Sequence, residues 1–274
     1  MGIHSIGNGI AWASGANGTV VRTADEGHHW QLCAVPPGAD TLDLPGIQAF
    51  DANTAIVMSR GKGDLSRLYE TTDACRSWRV VLTNPIKDGF FDAISFSQPF
   101  SQPHPAGAYG VLIGNPIGGA FPIFLTADRG EHWHQWGREG LGWKGECGER
   151  QAKALKDEAI FPTSNGSVFY FPPNNFMFVT GGQSGARVVY TDFHDFDGPP
   201  CWTTFSSVGL PLARASSSAG AFAVAAKGAG YFPLQLVVVG AASAALVLLP
   251  HLSCRKCLRT RSRLIFSAAA AAGS

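Results

Sequence analysis

One eight-residue pattern, Thr-x-Asp-x-Gly-x-x-Trp, occurs three times in the chain and constrains its fold more than any other feature. The copies run over 23–30, 71–78 and 126–133, and Cys75 takes the glycine position of the second copy. Strand-like runs flank each copy, so each predicts the turn of a β-hairpin. The aspartate can accept backbone N–H bonds, the glycine supplies a positive φ, and the tryptophan offers a large apolar surface. The pattern is carried by Thr23, Asp25, Gly27, Trp30, Thr71, Asp73, Trp78, Thr126, Asp128, Gly130 and Trp133.

The spacing of the copies predicts a repeat architecture. The three aspartates are 48 and 55 residues apart, close to the roughly 40–50 residues of a four-stranded propeller blade. Strand-like runs predict four such blades, and a fifth begins at 219–224 and then loses the pattern. We therefore predict an all-β fold, a partial β-propeller of about four to five blades within residues 1–226. Too few blades are present to close a ring, so we expect an arc with an unpaired edge at each end.

The repeated pattern resembles the Asp-box, or BNR repeat, of β-propeller proteins. The amino-acid sequence at 9–15, 18–23 and 114–119 is similar to that of bacterial proteins related to the photosystem II stability and assembly factor. This resemblance covers residues 2–226 and implies a propeller of six or seven blades that binds protein partners without known catalysis. It also implies an exported, periplasmic or membrane-associated protein. No signal peptide is visible, and we interpret the start as a fragment boundary.

Enzyme motifs are missing from the sequence. Asp-box sialidases imply an arginine triad, an Arg-Ile-Pro motif and a tyrosine–glutamate pair, and this chain has no Arg-Ile-Pro. The box aspartates occur once per repeat in the same turn, which favours a structural role. Histidines near the boxes have no third ligand at metal spacing, so we expect neither a metal nor another cofactor. Basic residues do not gather with aromatic ones before residue 198, so we expect no nucleic-acid binding.

A binding site is expected at the end of the blades opposite the boxes. In an up-and-down blade the first-to-second and third-to-fourth turns emerge at one end, here called the box face. The second-to-third and blade-to-blade connections emerge at the other end, here called the loop face. We predict a non-enzymatic binding or assembly protein; the alternative is a sialidase- or glycoside-hydrolase-like propeller with diverged or missing catalytic residues. Candidate loop-face residues for a protein partner are Lys62, Asp64, Asn115, Lys144, Glu146, Glu149, Arg150 and Gln183.

The cysteines leave two alternatives open. Cys33 follows the first box and Cys75 lies inside the second, so neighbouring blades could bring them together as a disulfide or bury them as two thiols. Cys254 and Cys257 form a C-x-x-C without a second pair, which argues against a zinc site.

The last quarter differs from the rest. Residues 198–274 carry seven Lys or Arg and no acid, and the tail 227–274 is apolar and then basic. Three alternatives remain: a membrane segment at 231–252, a pair of buried strands that complete the fifth blade, or sequence outside the family. Between the third and fourth blades, 151–158 predicts a short surface helix or a loop.

Overall fold

The chain is almost entirely β-structure, because short β-branched and aromatic runs alternate with turns along its length. The computed structural model describes residues 1–97, 109–136, 151–161, 165–171, 175–194, 201–212, 219–227, 235–240, 243–248 and 266–270. Its strands form five four-stranded antiparallel sheets and one two-stranded sheet in this described part of the chain. The predicted all-β class and partial propeller are confirmed.

The first two blades follow the predicted four-strand repeat. The first consists of β1 (Gly2–Gly7), β2 (Ile10–Ser14), β3 (Val20–Thr23) and β4 (Gln31–Leu32). The second consists of β5 (Asp43–Ala49), β6 (Ala55–Arg60), the 3₁₀-helix η1 (Gly63–Leu65), β7 (Arg67–Thr71) and β8 (Arg79–Thr83). In each blade the strands pair in chain order.

The third and fourth blades repeat this order with one insertion between them. The third consists of β9 (Ala93–Phe96), β10 (Gly110–Ile113), β11 (Ile123–Thr126) and β12 (His134–Gln135). The insertion contributes β13 (Glu158–Ala159) and the 3₁₀-helix η2 (Asn165–Ser167). The fourth blade consists of β14 (Val168–Phe171), β15 (Asn175–Val179), β17 (Arg187–His194) and β18 (Cys201–Gly209), while β16 (Gly181–Gly182) pairs with β13.

The fifth blade includes the tail. Its strands are β19 (Ala221–Lys227), β20 (Gln235–Gly240), β21 (Ser243–Leu248) and β22 (Phe266–Ala270). In the described residues the tail contributes the three strands β20, β21 and β22 to this sheet. Within the same described residues, the structure has no helix with the length and hydropathy needed to span a bilayer.

The segment 151–158 does not form a helix. Lys153 instead makes a β-bridge with Ala120, and β13 pairs with β16. The helix alternative was wrong because two turns of helix-forming residues are marginal without a packed face, whereas the bridges satisfy the backbone here. The short strand β13 was not predicted.

Apolar layers between neighbouring blades hold the fold together. Because an inner blade is covered on both sides, the strand β6 is buried from Ala55 to Ser59 without alternation, as expected for a strand buried on both faces. Four apolar clusters join the blades in chain order, and their central residues include Tyr69 (first and second blades), Phe124 (second and third), Phe178 (third and fourth) and Val238 (fourth and fifth). None of these clusters joins the fifth blade to the first among the described residues.

The 3₁₀-helix η2 forms hydrogen bonds to two separate blades. Asn165 donates its amide Nδ2–H to the carbonyl of Ile47 in the second blade. The Ser167 hydroxyl bonds the carbonyl of Phe222 in the fifth blade at 3.0 Å. Because these bonds start from one segment, η2 ties the inner strands of separate blades together.

Candidate binding face

The three boxes have one shared geometry. In the first, the Thr23 hydroxyl donates to Asp25 Oδ1 at 2.8 Å and accepts the Gly27 N–H at 3.1 Å. Asp25 Oδ1 also accepts the N–H of His29 at 2.9 Å. The box aspartates are therefore acceptors that hold their own turns. The same bonds recur in the sets Thr71, Asp73, Cys75 and Ser77, and Thr126, Asp128, Gly130 and His132.

Hydrogen bonds make the box carboxylates more acidic than usual. The backbone N–H and ring of His29 hold the pKa of Asp25 well below its ordinary value. The Ser77 hydroxyl and N–H lower the pKa of Asp73 to about 2. Partial burial raises the pKa of Asp128, but the bonds from His132 outweigh it and the net shift is downward. Each aspartate is thus kept ionised by the turn that it closes.

The box fixes two consecutive residues with positive φ, the second of them at the glycine position. Gly27 and Gly130 have φ of +89° and +91°, and Cys75 has +62°. A Cβ on Gly130 would lie 2.5 Å from Ile56 of the preceding blade. The same position therefore directs the side chain of Cys75 toward the first blade.

Cys75 and Cys33 form a disulfide that joins the first two blades. Both residues are buried. Nearby, the Trp78 indole donates to the carbonyl of Ala34 at 2.8 Å, so the second box is fastened to the first blade by a covalent and a polar contact.

The loop face of the second blade is polar and mixed in charge. Lys62 lies 2.7 Å from Asp88 in an exposed ion pair. The Arg67 Nε–H donates to the carbonyl of Asp64 at 2.6 Å. Leu65, which lies between Asp64 and Arg67 in the sequence, is half exposed. The predicted residues Lys62 and Asp64 thus lie together on this face.

A buried carboxylate lies beneath the loop face between the second and third blades. Asp92 is fully buried, and its Oδ2 accepts the Asn115 N–H at 2.6 Å. The Arg60 Nε lies 3.4 Å from Asp92 Oδ1, and the guanidinium lies 5.7 Å from the Phe90 ring centroid. Burial raises the pKa of Asp92 to about 6, although Arg60 and the Asn115 N–H oppose the shift.

The predicted residue Asn115 links this carboxylate to the fourth blade. Its side-chain Oδ1 accepts the N–H of Ile160 at 2.9 Å. Asn115 is therefore partly buried and connects Asp92 to the insertion that precedes the fourth blade.

A second buried carboxylate, with a more complete set of partners, lies where the insertion meets the fourth blade. Arg187 donates from Nε to Glu158 Oε1 at 2.6 Å and from Nη2 to Oε2 at 2.7 Å. Thr180 and the N–H of Leu155 donate to the same carboxylate at 2.6 Å each. The Glu158 side chain is inaccessible to solvent and that of Arg187 is 13% exposed. Such a bidentate pair is geometrically specific.

The remaining predicted residues divide into two groups. Gln183 is exposed in the connection between β16 and β17, beside Ser184, whose hydroxyl donates to the Lys156 carbonyl at 2.5 Å. Lys144, Glu146, Glu149 and Arg150 lie outside the described residues. In the described ranges no group of three or more His, Cys, Asp or Glu side chains is placed to hold a metal ion.

Sequence reasoning missed the two arginine–carboxylate pairs described above on the loop face. Arg60 and Asp92 lie 32 residues apart and Glu158 and Arg187 lie 29 apart, and none belongs to the repeated box. The one available signal was an acidic residue directly after Phe90-Phe91 at the start of an apolar strand. A charge in that setting is buried only with a partner.

Similarity to known proteins is found at the level of structure. No protein-family model matches the sequence, and no curated protein matches it. YCF48 from Cyanidioschyzon merolae is 14% identical, with a TM-score of 0.54 over 98% of this chain and 71% of that one. A structure of YCF48 bound to D1 peptide is 16% identical, with a TM-score of 0.41 over 89% and 76% of the chains. A GH74 xyloglucanase from Xanthomonas campestris is 12% identical, with a TM-score of 0.49 over 88% of this chain and 35% of that one.

The similarity to YCF48 from Cyanidioschyzon merolae, at a TM-score of 0.54, agrees with the fold that the sequence predicts. The chain is a partial β-propeller of the BNR type, and its fold resembles that of YCF48.

Proposed function

We propose that the chain binds a protein partner through its loop face without catalysing a reaction there. The observation that supports this most is the state of Glu158. Both oxygens of this carboxylate are taken by Arg187, Thr180 and a backbone N–H, so it has no free lone pair aimed at a substrate. Its role is to hold the connection between β15 and β17 in place, so that a protein partner can bind on the loop face.

The exposed part of the loop face has the composition of an interface rim. The ion pair of Lys62 with Asp88 lies beside the half-exposed Leu65. Rims of protein–protein interfaces are polar and accessible, whereas ligand pockets are concave and mostly apolar. Among the described residues three arginines reach this face, and each is bound to a nearby group of the chain: Arg60 to Asp92, Arg67 to the Asp64 carbonyl and Arg187 to Glu158. This supports binding over a convergent arginine triad.

We further propose that the protein works in an oxidising compartment outside the cytoplasm, as the resemblance implies. The Cys33–Cys75 disulfide supports this location, because disulfides persist in exported proteins and are rare in reducing compartments.

A carbohydrate-active enzyme is the second candidate, and one observation favours it. The pKa of Asp92 is raised to about 6 by burial, which is a range suited to a general acid. Asp92 is however fully buried, and glycosidases place two carboxyl groups about 5–10 Å apart on either side of the substrate. Turnover of chromogenic glycosides that disappears in Asp92→Asn would favour this candidate over the binding protein.

The binding proposal is tested with two matched charge reversals in the second blade. Lys62→Glu alters the loop face and Arg76→Glu alters an exposed box position. The intact protein is used as bait in its source extract, and captured proteins are quantified by mass spectrometry. We expect a specific partner to be lost about tenfold with Lys62→Glu, because rim charges steer association, and retained with Arg76→Glu. Equal retention, or loss only with Arg76→Glu, would contradict the loop-face assignment.

A further inference from the structure

One face of the first sheet is apolar and uncovered. The pairing register places Ile3, Ala13, Val21 and Leu32 side by side across β1 to β4. Directly opposed residues in a sheet point to the same side. Ile3 is 70% exposed and Leu32 is 71% exposed. The opposite side of this sheet carries Trp12, which is buried against the second blade.

The residues at the equivalent positions of the second and third blades are buried. Val21, Tyr69 and Phe124 each lie two residues before a box threonine, and the register aligns Ile3 with Ile47 and Ile94. Ile47 and Ile94 are 0% exposed because each packs against the preceding blade. The first sheet therefore has a surface built to receive a blade.

The first box shows the same difference. Trp78 is 8% exposed and contacts the first blade, whereas Trp30 at the same box position is 45% exposed. A large apolar plate of this kind is normally buried. Trp30, Ile3 and Leu32 are all exposed on the side of the first sheet that faces away from the second blade, and together they are here called the leading patch.

The fifth sheet carries the complementary surface. Leu236 and Val238 are fully buried against the fourth blade, while Val237 and Val239 are 46% and 47% exposed on the other side. The register sets Val239 opposite Ala223 and Val237 opposite Ala225. We call this side the trailing patch, because it faces the direction in which a further blade would follow.

We propose that a second copy of this chain docks here, with the trailing patch of one copy packed on the leading patch of the next. The contact repeats the sheet-on-sheet packing that already joins each blade to its neighbour within the chain. Each copy carries both halves of that contact, and the residues named for the two patches are uncharged. Such a head-to-tail contact is heterologous, so each copy uses a different surface at each end. It is separate from the loop face.

The test uses two variants that block opposite ends. Leu32→Lys places a charge in the leading patch and Val237→Lys places one in the trailing patch. Sedimentation velocity over a range of concentrations should show reversible association of the wild-type chain. Each variant alone should associate at least about tenfold more weakly, because an ammonium cannot be buried there without a partner. An equimolar mixture should form a one-to-one dimer, because each variant still has one open patch.

The control is Val80→Lys, which should associate as the wild type does. Val80 occupies the position of Leu32 in the second blade and is 43% exposed, but that blade is already covered by the first. Ile3→Lys repeats the leading-patch test at a second exposed site, and circular dichroism checks that all variants are folded. The proposal is overturned by a wild-type chain that stays monomeric at every concentration. It is equally overturned if Leu32→Lys alone associates as strongly as the wild type, or if the mixture of blocked variants stays monomeric.

Discussion

Removing the Cys33–Cys75 disulfide should cost the chain a large part of its stability. The bridge spans a sequence separation of 42 residues, and closing a loop of that length in the unfolded chain is worth about 4 kcal/mol at 25 °C by the chain-entropy relation. The variant pair Cys33→Ala/Cys75→Ala should lower the free energy of unfolding by about that amount. The bridge favours packing of the first blade on the second, because it joins the two directly.

A second variant separates the bridge from the backbone of the box. Cys75 has a φ of +62° at the position where the other boxes have glycine, and a non-glycine residue there costs about 1 kcal/mol. Cys33→Ala/Cys75→Gly should therefore be about 1 kcal/mol more stable than Cys33→Ala/Cys75→Ala, although both lack the bridge.

Urea unfolding of the three proteins, followed by circular dichroism, measures both differences. Dithiothreitol should destabilise the wild type and leave the two variants unchanged. The reasoning is refuted if the double alanine variant is as stable as the wild type, or if the glycine variant is the least stable of the three.

Three further predictions concern the carboxylates. Asp92 has a pKa of about 6 in the folded chain, against an ordinary 3.8. Because the folded state holds this proton more tightly than the unfolded state, the free energy of unfolding should fall by up to about 3 kcal/mol as pH rises from 4 to 6. Asp92→Asn should flatten this dependence in urea titrations at each pH. Arg187→Met should destabilise the chain by about 3–5 kcal/mol, because Glu158 is left buried and unpaired, and a thermal midpoint unchanged by it would contradict the pair's role. The pKa of Asp73 is lowered to about 2, so its stabilising effect is complete above pH 3.8 and is lost as pH falls toward 2. Asp73→Asn should therefore make stability less sensitive to acid between pH 3.8 and 2. The same loss of stability with falling pH in the variant and the wild type would refute this.

The repeated boxes made the blade architecture predictable from the sequence. Asp25, Asp73 and Asp128 recur in one local turn, and a local turn fixes the pairing of the strands on either side. The strands on either side of each box pair in the first three blades, whereas the fourth blade, which has no complete box, was predicted from its strand-like runs. The fifth blade was left open, because no box follows Ala221–Lys227 and its remaining strands carry an apolar pattern that also fits a membrane segment.

The polar contacts of the loop face could not be predicted in the same way. Glu158 and Arg187 meet because the insertion before the fourth blade adds the strand β13 to the Gly181–Gly182 strand, a long-range pairing without a repeated signal. The predicted residues Lys62 and Asn115 were chosen from their position in connections. That choice located the face but could not show that Asn115 is partly buried beneath it.

Hydrogen exchange of the chain with and without a captured partner tests the central claim most directly. If the loop face binds and the box face is structural, bound partner should slow exchange in the segments 61–66, 84–91 and 115–122. Amides of the boxes at 24–30, 72–78 and 127–133 should exchange at the same rate in both states, because their partners are Asp and Thr side chains of their own turns. Slowed exchange at the boxes with no change in the loop-face segments would contradict the account.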